Sequence, residues 1–158
     1  MKDQLLALRD RYAPPLLELM EETIESIPED GSPLVEMGRH HLQTGGKRLR
    51  AMLPLAVGRR LGADPDALLP FGAACELLHN ATLVHDDLQD GDRTRRGEST
   101  VWSTFGSERA INLGDAMLYW PLLLIDRLDC SAATRNTLYR TTTRQTLSVI
   151  DGQDREYE

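Results

Sequence analysis

The chain has 158 residues, a net charge of −7 and a hydrophobic content of 41%, which is the composition of an ordinary globular domain with a core. The negative charge argues against the basic surface that nucleic-acid binding requires. Its two cysteines have no metal-ligand spacing and predict a reducing compartment. The longest apolar run, residues 116–125, is about half of what spans a bilayer. We therefore expect a cytoplasmic protein with no nucleic-acid partner and no transmembrane segment.

Apolar residues at helical spacing predict a first helix near the N-terminus. Pro14 and Pro15 within this stretch predict a kink, or a break between two helices. A loop is expected over residues 28–33, and the glycine pair within residues 44–50 is expected at the entrance of the next helix. The apolar positions of the first helix, in steps of three and four, are Leu5, Leu8, Tyr12, Leu16, Met20 and Ile24.

A long helix is predicted to start with Asp64 as N-cap and Pro65 at the first helical position. Helical spacing continues from there to Asp90. The charged stretch that follows predicts a loop, and two more helices are expected over residues 107–128 and 131–158. Because no alternating pattern predicts a strand, the chain is expected to be all-α.

The end of the long helix is unusually rich in aspartate. At about 100° per residue, His79, Asp86 and Asp90 share one face, and Asp87 lies a quarter-turn to the side. Two carboxylates four residues apart are separated by about 6 Å and repel by roughly 3 kcal/mol at an effective dielectric near 20. Magnesium would remove this repulsion, since it takes one or two carboxylates and completes its shell with water and phosphate. The alternative is a solvated helix end.

Basic residues follow this face and also precede it. Arg95 and Arg96 come directly after it, and guanidinium groups bind phosphate in a fork, so the stretch predicts a diphosphate pocket. Alternatively, the arginines simply pair with the aspartates. Lys47 and Arg50, expected one helical turn apart after the glycine pair, predict a second anion site at a helix N-terminus. The pattern thus favours two diphosphate sites, one with metal and one without.

With these motifs the chain resembles the trans-isoprenyl diphosphate synthase (polyprenyl synthetase) family. The resemblance implies an all-α bundle of long helices around a deep cavity, of the isoprenoid synthase type and usually a homodimer. It also implies the condensation of isopentenyl diphosphate with an allylic diphosphate. The stretches that carry it are "GGKRLR" (45–50), "ELLHNATLVHDDLQD" (76–90), "RRGEST" (95–100), "FGSERAINLGDAML" (105–118) and "DGQ" (151–153).

The resemblance assigns one group of residues to isopentenyl diphosphate. By position, Lys47, Arg50 and His79 would hold this substrate. Arg96 would assist them. A histidine on a helix is more often structural, but its place on the aspartate face favours a ligand role.

The resemblance assigns a second group to the allylic diphosphate. Asp86 and Asp90 would coordinate Mg²⁺ that bridges to this substrate, and Arg95 would hold the same diphosphate. Asp87 belongs to the motif but points aside, so it ranks third as a metal ligand. Magnesium and arginine would neutralise the leaving diphosphate so that an allylic cation forms and the isopentenyl double bond attacks it.

Product length is expected to depend on the side chains that precede the aspartates. The resemblance implies that bulky aromatic residues four and five positions before the first aspartate limit chain growth to short products. The corresponding residues are Thr82 and Ala81, both small, and Leu78 one turn deeper is not aromatic. We therefore expect geranylgeranyl diphosphate or a longer product, unless Tyr119 or Trp120 supplies a plug.

The chain departs from the family pattern in one respect. The second aspartate-rich motif and its lysines have no counterpart, and the final stretch still has helical spacing without a cap. Residues 1–158 are therefore expected to be the N-terminal portion of a synthase domain, inactive or nearly so alone. A natural half that works with another chain is the alternative.

Three other functions compete with this interpretation. A non-catalytic subunit that binds prenyl diphosphate and tunes a full synthase would keep the same ligand residues. A di-metal carboxylate bundle could use Glu76 and His79 as a Glu-x-x-His motif, but such sites need a second copy, which the sequence lacks. A terpene cyclase needs no second diphosphate site, so Lys47 and Arg50 argue against it.

Overall fold

The computed structural model describes residues 2–26 and 31–156, and within them the chain is a bundle of helices with one minimal hairpin. This confirms the predicted all-α class. Strands β1 (Thr94–Arg95) and β2 (Glu98–Ser99) pair antiparallel. The helices are α1 (Lys2–Glu25), α2 (Pro33–Gln43), α3 (Leu49–Arg60), α4 (Leu69–Gln89), α5 (Val101–Phe105), α6 (Ser107–Asp126) and α7 (Ala132–Arg155).

Helix α1 is continuous through Pro14 and Pro15, so the predicted break does not occur. The predicted apolar stripe is confirmed from Leu8 onward, because Leu8, Tyr12, Leu16, Met20 and Ile24 are at most 6% exposed. Of the loop predicted over residues 28–33, residues 28–30 lie outside the described part, and Pro33 already belongs to α2.

Between α4 and α6 the chain forms a hairpin and a short helix, α5, neither of which the sequence predicted. The hairpin strands are only two residues each, too short to show an alternating pattern, and α5 is only five residues long. The Trp102 indole N–H donates to the carbonyl of Asp92 at 2.7 Å, and the Thr100 hydroxyl donates to the same carbonyl at 2.9 Å. These bonds fold the loop back onto the end of α4.

The start of the long helix agrees with its capping signals to within one turn. The Asp64 carboxylate accepts a hydrogen bond from the Asp66 N–H at 3.1 Å. A single 3₁₀ turn, Asp66–Leu68, follows Pro65 and leads directly into α4. The carboxylate therefore satisfies one of the backbone donors that a helix start leaves without a partner.

Helix α4 lies at the centre of the bundle and packs most extensively against α6, and also against α3 and α1. Two glycines allow this close packing. A Cβ at Gly72 would lie 2.9 Å from the carbonyl oxygen of Ala51 on α3, and a Cβ at Gly114 on α6 would lie 2.2 Å from Nε2 of His85. Close contact with α3 and α6 fixes where the functional residues of α4 point.

One segment, Asp66–Gln89, is long and apolar enough to cross a membrane by length and composition. It consists of the 3₁₀ turn and α4, and 44% of its most apolar window is buried in the bundle. Because the core helix of a folded domain has the same composition, the segment carries no argument for a membrane.

Candidate functional site

The aspartates occupy the last turn of α4, where the helix meets a cavity. Asp86 and His79 both line this cavity, as the predicted common face requires. Asp90 is the exposed C-cap residue, and its N–H donates to the Asp86 carbonyl at 2.8 Å. Partial burial raises the pKa of Asp86, and the neighbouring Asp90 charge raises it further. The two carboxylates thus repel one another in the absence of a cation, as their spacing predicts.

Asp87 has a different environment from its neighbours. It is 2% exposed, and its Oδ1 accepts a hydrogen bond from Nε of Arg95 at 2.8 Å and lies 2.7 Å from Nη2 of the same arginine. The hairpin places Arg95 there, and the ion pair raises the pKa of Arg95. The alternative that an arginine pairs with an aspartate therefore holds for Arg95. Asp87 is a buried anchor for Arg95 rather than an exposed metal ligand, although its Oδ2 has no hydrogen-bond partner.

Arg96 reaches the glycine pair at the other end of the site. It has a left-handed backbone, with φ of 55°, and its Nη1 donates to the carbonyl of Gly45. A Cβ at Gly46 would lie 2.6 Å from Nη1 of Arg96, so a larger residue there would require the guanidinium to shift. Nε2 of His40 also lies 2.8 Å from the carbonyl oxygen of Ser99. The hairpin is thus tied to the α2–α3 connection.

The basic stretch differs from its prediction in one respect. Because α3 begins at Leu49, Lys47 lies in the preceding loop and not one helical turn from Arg50. Arg48 is the N-cap residue and has a left-handed backbone, which costs a non-glycine residue about 1–2 kcal/mol. The helix N-terminus is also partly used, because the Ala51 N–H donates to the Glu76 carboxylate at 3.2 Å. Lys47 and Arg50 themselves remain exposed.

His79 is half-buried within a group of positive charges. Burial lowers its pKa to about 4, and the nearby charges of Arg50, Arg96, Arg95 and Arg48 act in the same direction. His79 is therefore neutral at physiological pH and can donate or accept a hydrogen bond without adding charge. An anion bound among these arginines would offset their effect on the pKa of His79.

Sequence reasoning missed a buried polar network behind this site. His41 is 1% exposed, and its Nε2–H donates to Oδ1 of Asn80 at 3.0 Å. The Asn80 amide donates in turn to the carbonyl of Glu76 at 2.7 Å, which fixes the amide orientation. Nη1 of Arg48 lies 3.5 Å from Oε1 of Glu76. The signal was present in the sequence, because Glu76 and Asn80 lie one turn apart within a largely apolar stretch of α4.

A cavity of about 730 Å³ lies between α4, α6 and α7 and joins the two predicted sites. Arg50, His79 and Asp86 all line it, whereas Lys47, Asp87, Asp90, Arg95 and Arg96 do not. Its α4 wall runs from Gln89 down to Phe71, a distance of about 27 Å at 1.5 Å per residue. The cavity is thus elongated along α4, with charged and polar groups at the aspartate end of this wall.

The residues expected to form a floor under the diphosphate divide into two groups. Leu78 and Thr82 line the cavity as expected, with Cys75 and Phe71 further from the aspartates. Ala81 does not, because it is completely buried in the core. Neither candidate plug reaches the cavity, since Tyr119 is 68% exposed and Trp120 is buried in the core. Phe71 is therefore the aromatic residue that ends the α4 wall.

The residues at the aspartate end suit a magnesium ion bound together with a phosphate ligand. Asp86 is partly exposed; burial raises the pKa of its carboxyl, and the Asp90 charge raises it further through a repulsion that a cation would remove. Among the described residues, no group of three His, Cys, Asp or Glu side chains could enclose a metal alone. Magnesium does not require one, since water and phosphate oxygens complete its shell.

The sequence profile of the polyprenyl synthetase family matches residues 32–157. The chain belongs to this family. A geranylgeranyl diphosphate synthase of Mycobacterium tuberculosis is 41% identical over 122 residues, which are 70% of this chain and 34% of that protein. A short chain isoprenyl diphosphate synthase of Methanocaldococcus jannaschii is 31% identical over 145 residues, which are 90% of this chain and 44% of that protein.

Solved structures of the family confirm the predicted isoprenoid-synthase fold. A geranylgeranyl pyrophosphate synthetase from Pyrococcus horikoshii matches with a TM-score of 0.88 at 30% identity, and the match covers 98% of this chain and 46% of that one. A polyprenyl synthetase from Streptomyces coelicolor matches with a TM-score of 0.83 at 30% identity, covering 97% of this chain and 47% of that one. The chain spans less than half the length of each of these relatives.

Proposed function

We propose that this chain supplies the first half of a trans-isoprenyl diphosphate synthase. The reaction is the head-to-tail condensation of isopentenyl diphosphate with an allylic diphosphate to give geranylgeranyl diphosphate or a longer product. The observation that carries this proposal is the shared cavity, which brings Arg50 and His79 together with Asp86 along one apolar-walled channel. Membership of the polyprenyl synthetase family supports the same reaction class.

Two diphosphates would bind in the two charged regions, of which Asp86, Arg50 and His79 line the cavity. Asp86 and Asp90 would hold magnesium, which when bound neutralises the leaving diphosphate and favours its departure. Arg95, held by Asp87, adds positive charge beside this position. Lys47, Arg50, neutral His79 and Arg96 would bind isopentenyl diphosphate without a metal.

The cavity walls have a separate role in this reaction. An allylic cation is quenched by water, so the channel must exclude water once both substrates are bound. Phe71, Cys75 and Leu78 provide an apolar wall along α4 for the growing hydrocarbon chain. The opposite wall, on α7, includes the apolar residues Val149 and Ile150.

The 158-residue chain alone is expected to be inactive or nearly so. Helix α7 has no buried residue, so the cavity has only part of its enclosure. The second half present in the relatives would close it and add the remaining ligands for the allylic diphosphate. We also propose that the complete protein is a cytoplasmic homodimer, as expected of the family.

A non-catalytic partner subunit is the second candidate. The observation in its favour is that Lys47, Arg50, Asp86 and Asp90, which such a subunit would need to bind prenyl diphosphates, are all present in the 158-residue chain. Such a subunit would bind prenyl diphosphates and regulate a full-length synthase. Turnover by a longer form that carries the second half favours the synthase, whereas activation of a separate synthase by the 158-residue chain favours the subunit.

Ligand binding by the 158-residue chain tests the metal site directly. Calorimetry with a bisphosphonate should show binding that requires magnesium and that Asp86→Ala abolishes. Asp129→Ala, an exposed aspartate that does not line the cavity, serves as the control and should bind as the unmodified protein does. Equal binding in the presence of EDTA would remove the metal role from the proposal.

A further inference from the structure

The loop before α3 sorts its three cations into two environments. Lys47 and Arg50 are exposed, whereas Arg48 between them is 8% exposed and points into the bundle. Among the described residues, only Arg48 and Arg96 are non-glycines with positive φ, and both lie at the proposed metal-free diphosphate site. A strained backbone at a non-glycine residue persists only where the surroundings hold it in place.

The surroundings of Arg48 supply that constraint from two directions. Its Nη2 donates to the carbonyl of Leu42 at 2.8 Å, so the side chain closes the loop that contains both glycines. Its Nη1 lies 3.5 Å from Oε1 of Glu76, a carboxylate that is itself 4% exposed. The other oxygen of that carboxylate, Oε2, accepts the hydrogen bond from the Ala51 N–H. One buried carboxylate therefore holds the chain on both sides of Arg50.

Glu76 also connects the loop to the rest of the site. It lies three residues before His79 on α4, so a single helix carries the anchor of the loop and another proposed ligand of the same diphosphate. Its own backbone carbonyl accepts from Asn80, which binds His41 of α2. A short path of buried contacts thus links α2, the loop, α3 and α4.

We propose that Arg48 and Glu76 are positioning residues for the metal-free diphosphate site. They do not touch the ligand; they hold Lys47 and Arg50 in the arrangement that binds it. The left-handed turn at Arg48 directs its own side chain inward and its two cationic neighbours outward. This inference rests on the proposed function, because it takes Lys47, Arg50 and His79 as the binding groups.

Pyrophosphate titration of the 158-residue protein in EDTA tests this inference apart from the metal site. Arg50→Gln removes a direct ligand and should weaken binding. Arg48→Gly tolerates the left-handed backbone but loses the ion pair, and Glu76→Gln keeps an acceptor for the Ala51 N–H but loses the charge. Arg48→Gly and Glu76→Gln should each weaken pyrophosphate binding about tenfold. The affinity of Arg48→Lys should lie between that of Arg48→Gly and that of the unmodified protein. Magnesium-dependent bisphosphonate binding should change less than twofold in Arg48→Gly, Glu76→Gln and Arg48→Lys.

A double-mutant cycle separates positioning from direct contact. If Arg48 acts through its neighbours, Arg48→Gly should have no further effect in a Lys47→Gln/Arg50→Gln background, whereas a direct ligand would weaken binding in both backgrounds. Additive losses would overturn the inference, as would unchanged pyrophosphate affinity in Arg48→Gly and Glu76→Gln.

Thermal unfolding shows which variants are folded. Loss of the fold in Arg48→Gly, Arg48→Lys and Glu76→Gln alike would mean that Arg48 and Glu76 stabilise the core, and would also overturn the inference. If the unmodified protein does not bind pyrophosphate in EDTA, or Arg50→Gln binds equally well, the proposed second site itself fails. The two failures are therefore distinguishable.

Discussion

Helices α4 and α7 both line the cavity, but they differ in how far the rest of the chain covers them. Nine residues of α4 are buried, from Gly72 to Asp87, whereas no residue of α7 is buried. Helix α4 packs against α1, α3 and α6, while α7 has its main contacts with α6 alone. The cavity thus has one wall in a finished core and another on an exposed helix.

This difference shows which functional groups the chain can position by itself. The groups on or next to α4, including Asp86, Asp87 and His79, are held by a packed core and a hairpin. On α7, Leu147, Val149 and Ile150 are at least 50% exposed, which is uncommon for adjacent large apolar residues. The proposed ligand residues on the α4 side should therefore be held in place in this chain, whereas a closed cavity would require a further surface against α7.

The difference in burial between α4 and α7 should have its largest effect on the free energy of unfolding. Leu77 of α4 is completely buried, whereas Leu147 of α7 is 60% exposed. We expect Leu77→Ala to lower the free energy of unfolding by about 2–5 kcal/mol, and Leu147→Ala by less than about 0.5 kcal/mol. Urea unfolding followed by circular dichroism measures both. Equal losses would mean that α7 is as well packed in solution as α4.

The buried polar network of the α4 side predicts a dependence of stability on pH. Burial lowers the pKa of His41 to about 3, from an ordinary value near 6.5. Below pH 6.5 the unfolded chain therefore binds a proton that the folded chain does not, and stability falls as the pH decreases toward 3. The buried, neutral His41 should therefore lower the free energy of unfolding by about 2 kcal/mol between pH 6.5 and pH 5.

His41→Gln is the matched variant for this effect, because its amide can still donate to Asn80 but does not titrate. The difference in unfolding free energy between the two proteins should change with pH by the amount given above. Parallel pH profiles for the two proteins would show that His41 is not held neutral in the folded chain.

Much of this arrangement could be predicted from the sequence, but only where local pattern decides it. The 3.6-residue period placed His79 and Asp86 on one face of α4 and their common cavity confirms it. The pairing of Arg95 with Asp87 depends on a hairpin whose strands are too short to leave a pattern. In the first turn of α3, the Ala51 N–H donates to the buried Glu76 carboxylate, a partner 25 residues away that local pattern does not indicate.

Arg50 tests whether the two charged regions act separately. In a longer chain that carries the second half, Arg50→Ala should raise the KM for isopentenyl diphosphate about tenfold or more and the KM for the allylic substrate less than about threefold. The reason is that Arg50 lies on α3, apart from the aspartates of α4. Arg59→Ala, an exposed arginine at the end of the same helix, is the control. Equal increases in both KM values would show that the two charged regions do not act as separate sites.

The smallest expected effect is a change in product length along the α4 wall. Phe71 lies fifteen residues before Asp86, or about 22 Å along the helix. An extended chain rises about 1.2 Å per bond, so each isoprene unit of four backbone bonds adds about 5 Å. About four units would therefore fit above Phe71, which is the length of the geranylgeranyl chain proposed above.

In the longer chain, Phe71→Ala should lengthen the main product by one or more isoprene units, and Leu78→Phe should shorten it by narrowing the channel about halfway. Ala81→Phe is a poor test, because Ala81 is completely buried and a larger side chain would overpack the core. Leu83→Phe, at a half-buried position of α4 that does not line the cavity, is the control. Chromatography of the dephosphorylated products measures the outcome. An unchanged product in an active Leu78→Phe variant would place the growing chain elsewhere, against α7 or the surface that covers it.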